Sequence, residues 1–468
     1  MSTRIFAVVL FLSLVAATFT NVTTFIERDV VILGGGASGA HAAAQLHKFD
    51  KTVVVVEKQS RLGGHVASFD DPQTGKLYDY GVNSYTDYGA ARAFFARFNI
   101  EVQGPVRSPL ISTYADFNTG RITNLSMPSS NETTAALRRY LVICEEYEPM
   151  ISPSYANFPN TTADIPEDLT LNFSEFVKKY NLSAAVPRIF QVTGLGMGNL
   201  ANQTTLYVMQ AFGADLARSL LGEVSSFVPV SRRKQDLYDA IAELLGNDVF
   251  LSSVAVRTNR TRKGVEVEVR GPNGQRTLIS AKKLLIAFEP TLSNLEGIDI
   301  DDTEKAVFSK WEWSNVYVGV VSHPSLPKGY SLANQDPSNW LSLPGTPSVG
   351  RFDHLGDGYF RVLVTGPPGY NSCDAKSLIN KSFERLARAG TIPSLGTKRL
   401  EYVAWSDHGP MHLRVSGSEV RGGHITEQYR LQGHKSTYYT GGAWSGQFTP
   451  QVWELNDKVV LPGLLATL

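Results

Sequence analysis

Short apolar runs alternate with a helical segment at the start of the chain. Residues 29–33 (DVVIL) are rich in β-branched side chains and predict a buried parallel strand, and residues 52–56 (TVVVV) predict a second one. The stretch between them, residues 40–48 (AHAAAQLHK), predicts a helix whose small side chains face the sheet. Strand, helix and strand in this order predict an α/β domain with a parallel sheet.

Apolar patterns continue to the C-terminus and predict more than one core. A chain of 468 residues is expected to form two or three domains. Residues 264–270 (GVEVEVR) alternate with period two and predict a hairpin with residues 275–280, before a buried strand at residues 281–290. The pattern also predicts two helices and two strands in the remaining chain, at residues 133–147, 173–180, 316–321 and 359–365.

A glycine-rich loop joins the first strand to the first helix. Residues 34–39 (GGGASG) match the pattern G-x-G-x-x-G, with Ser38 inside it. Gly34 permits the tight turn, Gly36 lets the backbone approach a diphosphate, and Gly39 lets the helix pack closely on the strand. The helix N-terminus offers free N–H groups and a partial positive charge to the phosphates. The loop therefore predicts a Rossmann-type dinucleotide site.

An acid follows the second strand at Glu57, 18 residues after Gly39. A carboxylate at this distance accepts a hydrogen bond from the ribose and favours a free ribose over a 2′-phosphate. A second glycine cluster, Gly194, Gly196 and Gly198, lacks the spacing, the preceding strand and the acid. We interpret that cluster as a loop, which counts against a second site for NADPH.

The residues after Glu57 indicate which dinucleotide binds. Residues 61–64 (RLGG) stand where flavin amine oxidases carry R-x-G-G, in which Arg61 secures the loop and Gly63 and Gly64 let the chain pass close to the cofactor. Residues 78–83 (YDYGVN) resemble the loop that returns across the flavin ring. With His65 in place of a second arginine, residues 29–99 resemble the fungal β-cyclopiazonate dehydrogenase family within that superfamily. The resemblance implies FAD, and oxidative ring closure in a secondary metabolite as the type of reaction.

The resemblance also implies further contacts with FAD. His65 is either packed near a phosphate or active in acid–base chemistry. Val254 lies beside the adenine, on a strand at residues 248–257 (DVFLSSVAVR), and residues 438–444 (YYTGGAW) form a second flavin motif around Gly441 and Gly442. Many relatives have an acid after that motif's glycines, whereas this chain has Ala443, so the backbone is expected to make that contact alone.

The implied architecture is a Rossmann-type FAD-binding domain of the flavin amine oxidase type with an α+β substrate domain. Both domains are discontinuous, as this fold requires. The FAD-binding domain comprises residues 27–105, 225–290 and 400–468, and the substrate domain comprises residues 106–224 and 291–399.

Residues 1–20 predict a secretory signal peptide. Arg4 precedes an apolar run at residues 5–17, which ends in small residues and is shorter than the roughly 20 residues that span a bilayer. We expect a secreted protein without a stable membrane anchor, and an uncleaved anchor is the alternative. An excess of N-x-S/T sequons supports export; beside Asn21, they are Asn124, Asn131, Asn160, Asn172, Asn181, Asn202, Asn259 and Asn380.

Composition excludes some partners and leaves one question open. The 44 basic and 44 acidic residues balance, so no nucleic-acid partner is expected. The sequence has neither a metal-ligand cluster nor a Ser-His-Asp order, so we predict no metal and no hydrolysis. The two cysteines, Cys144 and Cys373, either form a disulfide or remain free thiols.

Candidates for the chemistry lie at residues 404–410 (AWSDHGP), which resemble the family's tryptophan-containing segment on the substrate side of the flavin. Trp405 is a candidate wall of the substrate pocket, with core packing as the alternative. His408 and His412 titrate near neutrality and are candidates for a base that accepts a proton from the substrate. A structural role is the alternative for each.

Three functions remain open at this point. The leading one is dehydrogenation or oxidative cyclisation of a small secondary metabolite, an alkaloid or a terpenoid, with molecular oxygen as the electron acceptor. The second is thioether oxidation of the kind that prenylcysteine oxidases perform. The third is flavin binding without catalysis. All three require FAD.

Overall fold

Two large sheets organise the residues that the computed structural model describes, 24–106 and 109–468, with the side chains of residues 194 and 195 excepted. The predicted signal peptide and the sequon at Asn21 lie outside the described residues. In chain order the strands are β1 Thr24–Leu33, β2 Val53–Val56, β3 Ser68–Asp70, β4 Leu77–Asp79, β5 Tyr85–Thr86, β6 Val102–Gln103, β7 Ile111–Ala115, β8 Ser226–Pro229, β9 Val249–Phe250, β10 Val254–Thr261, β11 Gly264–Arg270, β12 Arg276–Ile286, β13 Glu312–Ser322, β14 Tyr330–Asn334, β15 Ser348–Gly356, β16 Tyr359–Gly366, β17 Glu401–Arg414 and β18 Thr437–Tyr439.

The described α-helices lie between these strands and beyond the last of them. They are α1 Ala37–Lys48, α2 Ala91–Arg97, α3 Ser130–Ile151, α4 Glu167–Thr170, α5 Phe173–Lys179, α6 Val186–Val192, α7 Thr205–Ala211, α8 Ala214–Leu221, α9 Gln235–Leu245, α10 Asp302–Phe308, α11 Ser372–Arg388, α12 Gly417–Arg421, α13 His424–Tyr429, α14 Thr449–Leu455 and α15 Leu461–Leu465. Among the described helices, none combines the length and the apolar character that a bilayer-spanning segment needs.

The first sheet has seven strands in the order β10-β11-β12-β1-β2-β9, with β18 also paired to β12. Strand β1 pairs in parallel with both β12 and β2. All four valines of β2 are buried, and α1 covers this part of the sheet with Ala40, Ala42 and Ala43, which have no exposed surface. Small side chains on α1 allow close packing on the strands, and the predicted α/β fold is confirmed.

The second sheet has six strands in the order β17-β13-β16-β15-β14-β7. Its two faces pack against different parts of the chain. Tyr317 and Val321 of β13 belong to a core that includes Phe383 of α11. The opposite face of β13 presents Val316, Val318 and Val320 to a smaller cluster with Ala67 and Tyr80, which lie near the glycine loops. Odd and even positions of β13 therefore serve different cores.

Several predicted elements are confirmed with small shifts. The helices predicted at residues 133–147 and 173–180 are α3 and α5, and the strands at residues 316–321 and 359–365 lie within β13 and β16. The hairpin is the antiparallel pair β11 and β12, with Arg270 opposite Arg276. The strands predicted separately at residues 275–280 and 281–290 are one strand, because β12 continues from the hairpin into the parallel part of the sheet.

Two predicted boundaries are wrong. The single strand predicted at residues 248–257 is two strands, β9 and β10, because the chain turns between them and the Ser253 N–H donates to the Glu57 carbonyl at 2.9 Å. The third segment of the FAD-binding domain is predicted to begin at residue 400, but β17 pairs with β13 in the second sheet. That segment therefore begins after Arg414.

The structure gives the pairing state of the cysteines and the exposure of the sequon asparagines. Cys144 is buried in α3, Cys373 is exposed in α11, and both are free thiols. The asparagine side chains of eight predicted glycosylation sites are all exposed: Asn124, Asn131, Asn160, Asn172, Asn181, Asn202, Asn259 and Asn380.

A buried ion-pair network ties β10 to α10. The Arg260 side chain is fully buried and donates to both carboxylate oxygens of Glu304 at 2.7 Å, and its Nε donates to Asp299 at 2.9 Å. Asp301, Glu304 and His434 come within 4.8 Å of one another, in the manner of metal ligands. Because Arg260 already occupies both oxygens of Glu304, we assign this group to the ion-pair network.

The substitution Glu304→Gln tests this network. Glu304→Gln removes one of the two carboxylates that pair with the buried Arg260 and leaves Asp299 as the other, so we expect the free energy of unfolding to fall by about 2 kcal/mol in urea titrations. Burial opposes ionisation of Glu304, but the bonds from Arg260 outweigh it and lower the pKa of that carboxyl. Its stabilisation is therefore present above the carboxyl's unfolded pKa and is lost as the pH falls through the lower, folded value.

Glu296→Gln is the matched control, because Glu296 is exposed. Equal stability of the two variants would contradict the assignment.

Candidate functional site

Of the three motif glycines in the first loop, only Gly36 has room for an added Cβ. Gly34 has φ +103°, and a Cβ there would lie 2.9 Å from the Ala287 carbonyl oxygen. A Cβ on Gly39 would lie 1.9 Å from the Gly34 oxygen, so α1 packs directly on the loop. At Gly36, by contrast, a Cβ would meet only the Gly64 Cα, at 3.7 Å. Gly34 and Gly39 are required by packing, and Gly36 borders an open channel.

A second glycine loop packs directly against the first. Gly63 and Gly64 have φ +115° and +55°, and the Gly63 N–H donates to the Gly35 oxygen at 2.9 Å. A Cβ on Gly64 would lie 2.9 Å from the Gly36 Cα. Arg61 holds the loop in place, since it donates to Gln235 Oε1 at 2.8 Å and to the Val66 oxygen at 2.9 Å.

Glu57 lies at the end of β2 beside the first loop. The Gly35 N–H donates to its Oε2 at 2.6 Å, and the Gln59 N–H donates to its Oε1 at 2.8 Å. Each oxygen keeps a second lone pair for a ribose hydroxyl. Val254 begins β10 directly after Ser253, which is bonded to the Glu57 backbone. The residues predicted for the adenosine end therefore lie together.

The second flavin motif meets the first loop through Ser38. The Ser38 hydroxyl is 2.7 Å from the Thr440 hydroxyl, which donates to Asn456 Oδ1 at 2.5 Å. The Ser38 side chain thus links two parts of the protein, and the prediction that it contacts the cofactor is not supported for its hydroxyl. Gly441 follows with φ +111°, and a Cβ there would have nothing within 4 Å.

An acid that the sequence analysis missed, with one carboxylate oxygen buried, lies beside this motif. Glu289 follows β12, and its carboxyl accepts a hydrogen bond from Gln447 while Oε2 has no partner with standard geometry among the described residues. A Cβ on Gly442 would lie 2.5 Å from Glu289 Oε1. Burial raises the pKa of Glu289 to about 7. An acid is therefore present next to Ala443, supplied by another strand; its position at the carboxyl end of a parallel strand was the available signal.

Two β-bulges in β17 contain histidines, and the first of these histidines lies beside the glycine loops. Gly409 and Asp407 pair with the adjacent residues Val316 and Tyr317, which leaves His408 as the extra residue of a β-bulge. A second bulge contains His412, which has φ +52°. The His408 ring stacks on the ring of His65, with centroids 4.4 Å apart and planes at 13°, and His65 Nε2 is 3.2 Å from the His408 oxygen.

These three histidines are neutral at physiological pH. Burial lowers the pKa of His65, and burial together with the neighbouring His65 lowers the pKa of His408. Burial and then Arg414 lower the pKa of His412 to about 3. All three residues nevertheless retain an intermediate exposed fraction, although the Nε2 atom of His408 is itself buried. Gly196 of the second glycine cluster lies against His412, since a Cβ on Gly196 would be 2.8 Å from the His412 ring.

The prediction that Trp405 lines the pocket is wrong. Trp405 pairs with Gly319 and stacks with Tyr317 at 6.0 Å, and its Nε1 donates to Ser372 of α11 at 3.1 Å. Its side chain therefore lies on the α11 face of the sheet, away from Val316 and Val318. The alternative of core packing is correct.

Comparisons with known proteins agree with this geometry. Residues 32–98 match the model of an NAD(P)-binding Rossmann-like domain. The chain is 31% identical to a β-cyclopiazonate dehydrogenase of Aspergillus flavus, over 96% of this chain and 95% of that protein. It is 33% identical to the FAD-dependent oxidoreductase dpchF of Colletotrichum higginsianum, over 94% of this chain and 93% of that one.

The chain belongs to the β-cyclopiazonate dehydrogenase family of FAD-dependent oxidoreductases. Solved structures show the same fold. A fatty acid isomerase from P. acnes has a TM-score of 0.70 at 18% identity, with 93% of this chain and 98% of that chain covered. Cyclohexylamine oxidase from Brevibacterium oxydans has a TM-score of 0.60 at 16% identity, with 94% and 99% covered.

The residues of this family member fit FAD. The open position at Gly36, at the N-terminus of α1, suits the approach of a diphosphate, and Gly64 packs against Gly36 on one side. Glu57 offers acceptors for the adenosine ribose, and Glu289 offers an unpartnered oxygen beside the second motif. His65 stacks on His408 of β17, and Tyr80 packs in the cluster with Val316 of β13. The protein is an FAD-dependent oxidoreductase.

The substitution Gly36→Val tests the channel. Gly36 has φ −68°, which valine adopts, and its Cβ position is open, so the fold is expected to persist while the added methyl groups occupy the path of the diphosphate. We expect purified Gly36→Val protein to have a native circular dichroism spectrum but no flavin absorption. Gly36→Ala, with one methyl group, is the matched control and should retain more FAD. A fully yellow Gly36→Val protein would refute this account of the loop.

Proposed function

We propose that this enzyme dehydrogenates a small secondary metabolite, an alkaloid or a terpenoid, with ring closure where the substrate permits it. The name of its relatives, β-cyclopiazonate dehydrogenase, supports this type of substrate. The observation that carries the proposal is the neutral histidine pair, His65 and His408, held at a bulge of β17 next to the flavin loop.

FAD, when bound, supplies the acceptor for a hydride from the substrate. Side chains of the protein exclude water, accept the proton and position the base. Val316 and Val318 provide an apolar wall that excludes water from the reacting C–H bond. His408 accepts the proton that leaves an N–H or O–H group of the substrate, because its Nε2 has no partner with standard geometry among the described residues. His65 stacks on His408 and holds its ring in place.

The pH dependence of turnover tests the role of His408. A lowered pKa keeps this histidine able to accept a proton at neutral pH and in mild acid, so kcat/KM should stay level as the pH falls to 6.5 and decrease only at lower pH. His408→Asn should reduce kcat roughly 100-fold or more while FAD stays bound. His47→Asn is the control, because His47 is exposed on α1.

The assay follows loss of flavin absorption without oxygen after addition of β-cyclopiazonate or of a prenylcysteine. Bleaching by the prenylcysteine alone would favour the thioether oxidase, and bleaching by neither would favour a binding protein. Unchanged turnover in His408→Asn would remove this histidine from the mechanism.

We further propose that the enzyme passes through the secretory pathway and uses molecular oxygen to reoxidise the flavin. The apolar N-terminal run at residues 5–17 and the eight exposed sequon asparagines support the route. Tightly held FAD travels with an exported protein, and oxygen is available as an acceptor outside the cell.

Glycosidase treatment tests this route. We expect the protein from a eukaryotic secretory host to appear in the medium and to lose several kilodaltons after removal of N-linked glycans. Asn380→Gln should remove one glycan and leave the others, because each site is modified separately. Retention of unglycosylated protein inside the cell would contradict the proposed localisation.

A further inference from the structure

Two arginines on the flavin side of the second sheet share one carboxylate. Arg351 of β15 and Arg361 of β16 lie on the face opposite to α11, because the adjacent residues Phe352 and Phe360 pack in the α11 core. Arg361 donates to Asp353 Oδ2 at 2.7 Å, and Arg351 Nε lies 3.0 Å from the same oxygen. In the part of the chain that the structure describes, no other carboxylate forms an ion pair with either arginine. One positive charge is therefore left uncompensated.

The end of the Arg351 side chain borders accessible space. This side chain is only 15% exposed, and it makes no hydrogen bond of standard geometry with any described residue. Of its three nitrogens, only Nε is enclosed. Both Nη atoms therefore keep their N–H donors free in a space that solvent can enter.

A third arginine adds to the positive potential in this space. Burial lowers the pKa of Arg351, Asp353 opposes that effect, and the charges of Arg361 and Arg188 lower the pKa further. Arg188 belongs to α6, so it acts on Arg351 from the helical part of the substrate domain. A guanidinium nevertheless stays protonated at neutral pH. The space therefore favours an anion.

Strand register places this space near the apolar wall of the proposed reaction site. Arg351 pairs with Leu363, and Leu363 pairs with Val318 of β13. Neighbouring strands are about 4.8 Å apart, so Arg351 lies roughly 10 Å from Val318 across the sheet. Arg361 also donates to Asn83 Oδ1 at 2.6 Å, and Asn83 belongs to the loop that resembles the one crossing the flavin ring. A small metabolite can span this distance.

We propose that Arg351, assisted by the charges of Arg361 and Arg188, binds a carboxylate of the substrate and orients the substrate at the flavin. The inference rests on the proposed function and adds the substrate class, a small metabolite that carries a carboxylate. A guanidinium offers a carboxylate charge-assisted hydrogen bonds from a planar pair of donors. A bound carboxylate would also compensate the positive charge that Asp353 alone leaves unbalanced.

Calorimetric titration of the FAD-loaded enzyme with indole-3-propionate tests the proposal, with indole-3-propionamide as the uncharged ligand of similar shape. We expect the carboxylate to bind at least about 10-fold more tightly than the amide, and Arg351→Gln to abolish most of that difference. Asp353 keeps its bonds from Arg361 and Ser331 in this variant, so the fold should persist. Arg138→Gln is the control, since the Arg138 side chain is 62% exposed.

A matched pair of variants at Ala333 keeps the test decisive if Arg351→Gln does not fold. Ala333 is half-buried and pairs with Arg351 across β14 and β15. Ala333→Asp leaves the arginine in place but supplies a competing carboxylate, so indole-3-propionate should bind at least about 10-fold more weakly than to Ala333→Asn. The amide should bind both variants equally, because the two introduced side chains have nearly the same size.

Three results would overturn the proposal: equal affinity of the wild type for the two ligands, no binding of either, or equal affinity of Ala333→Asp and Ala333→Asn for the carboxylate. The titration involves no turnover, so His408→Asn should bind indole-3-propionate normally. An enzyme that binds the carboxylate as expected, but whose flavin is bleached by neither assay substrate, would retain the anion site and lose the proposed function.

Discussion

Close backbone packing between two glycine loops is the constraint on which the rest of the structure depends. The loop at Gly34 and Gly39 rests on the Ala287 carbonyl from β12, and the loop at Gly63 and Gly64 rests on the first loop. A side chain at most of these positions would collide with backbone, which cannot move aside cheaply. Gly36 alone among these glycines has room for an added Cβ without a contact shorter than 3.7 Å. Glu57, Glu289 and the histidines acquire their roles from their positions along this channel.

Local information was sufficient for the cofactor half of the protein. The strand, glycine loop, helix and acid all lie within residues 29–57, so a short stretch of sequence contains the whole pattern that identifies the site. Side-chain direction was less predictable. The Ser38 hydroxyl bonds Thr440, about four hundred residues away in sequence, and Trp405 lies on the far face because β17 contains bulges that break its two-residue period. Neither feature leaves a signal in a single sequence.

Glu289 and Arg414 share a different property, which is that each has a buried side-chain atom without a hydrogen-bond partner of standard geometry among the described residues. Glu289 lies three residues after the end of β12, and Arg414 is the last residue of β17. The sequence marks them only as isolated charges at strand ends, a pattern that many surface residues also show. Their burial depends on elements far apart in the chain, such as α7 and the loop before β15. Only the tertiary structure separates a buried unpaired charge from a solvated one.

The two faces of β13 explain how one strand serves stability and chemistry together. Tyr317 and Val321 pack against α11 in an apolar core, whereas Ser314, Val316 and Val318 face the flavin loop. A regular partner strand would continue this alternation, but the bulges in β17 insert His408 and His412 into the second face. The largely apolar α11 core supports the sheet, so the irregular edge can carry neutral histidines and a buried cation. Stability on one face thereby permits unsatisfied polar groups on the other.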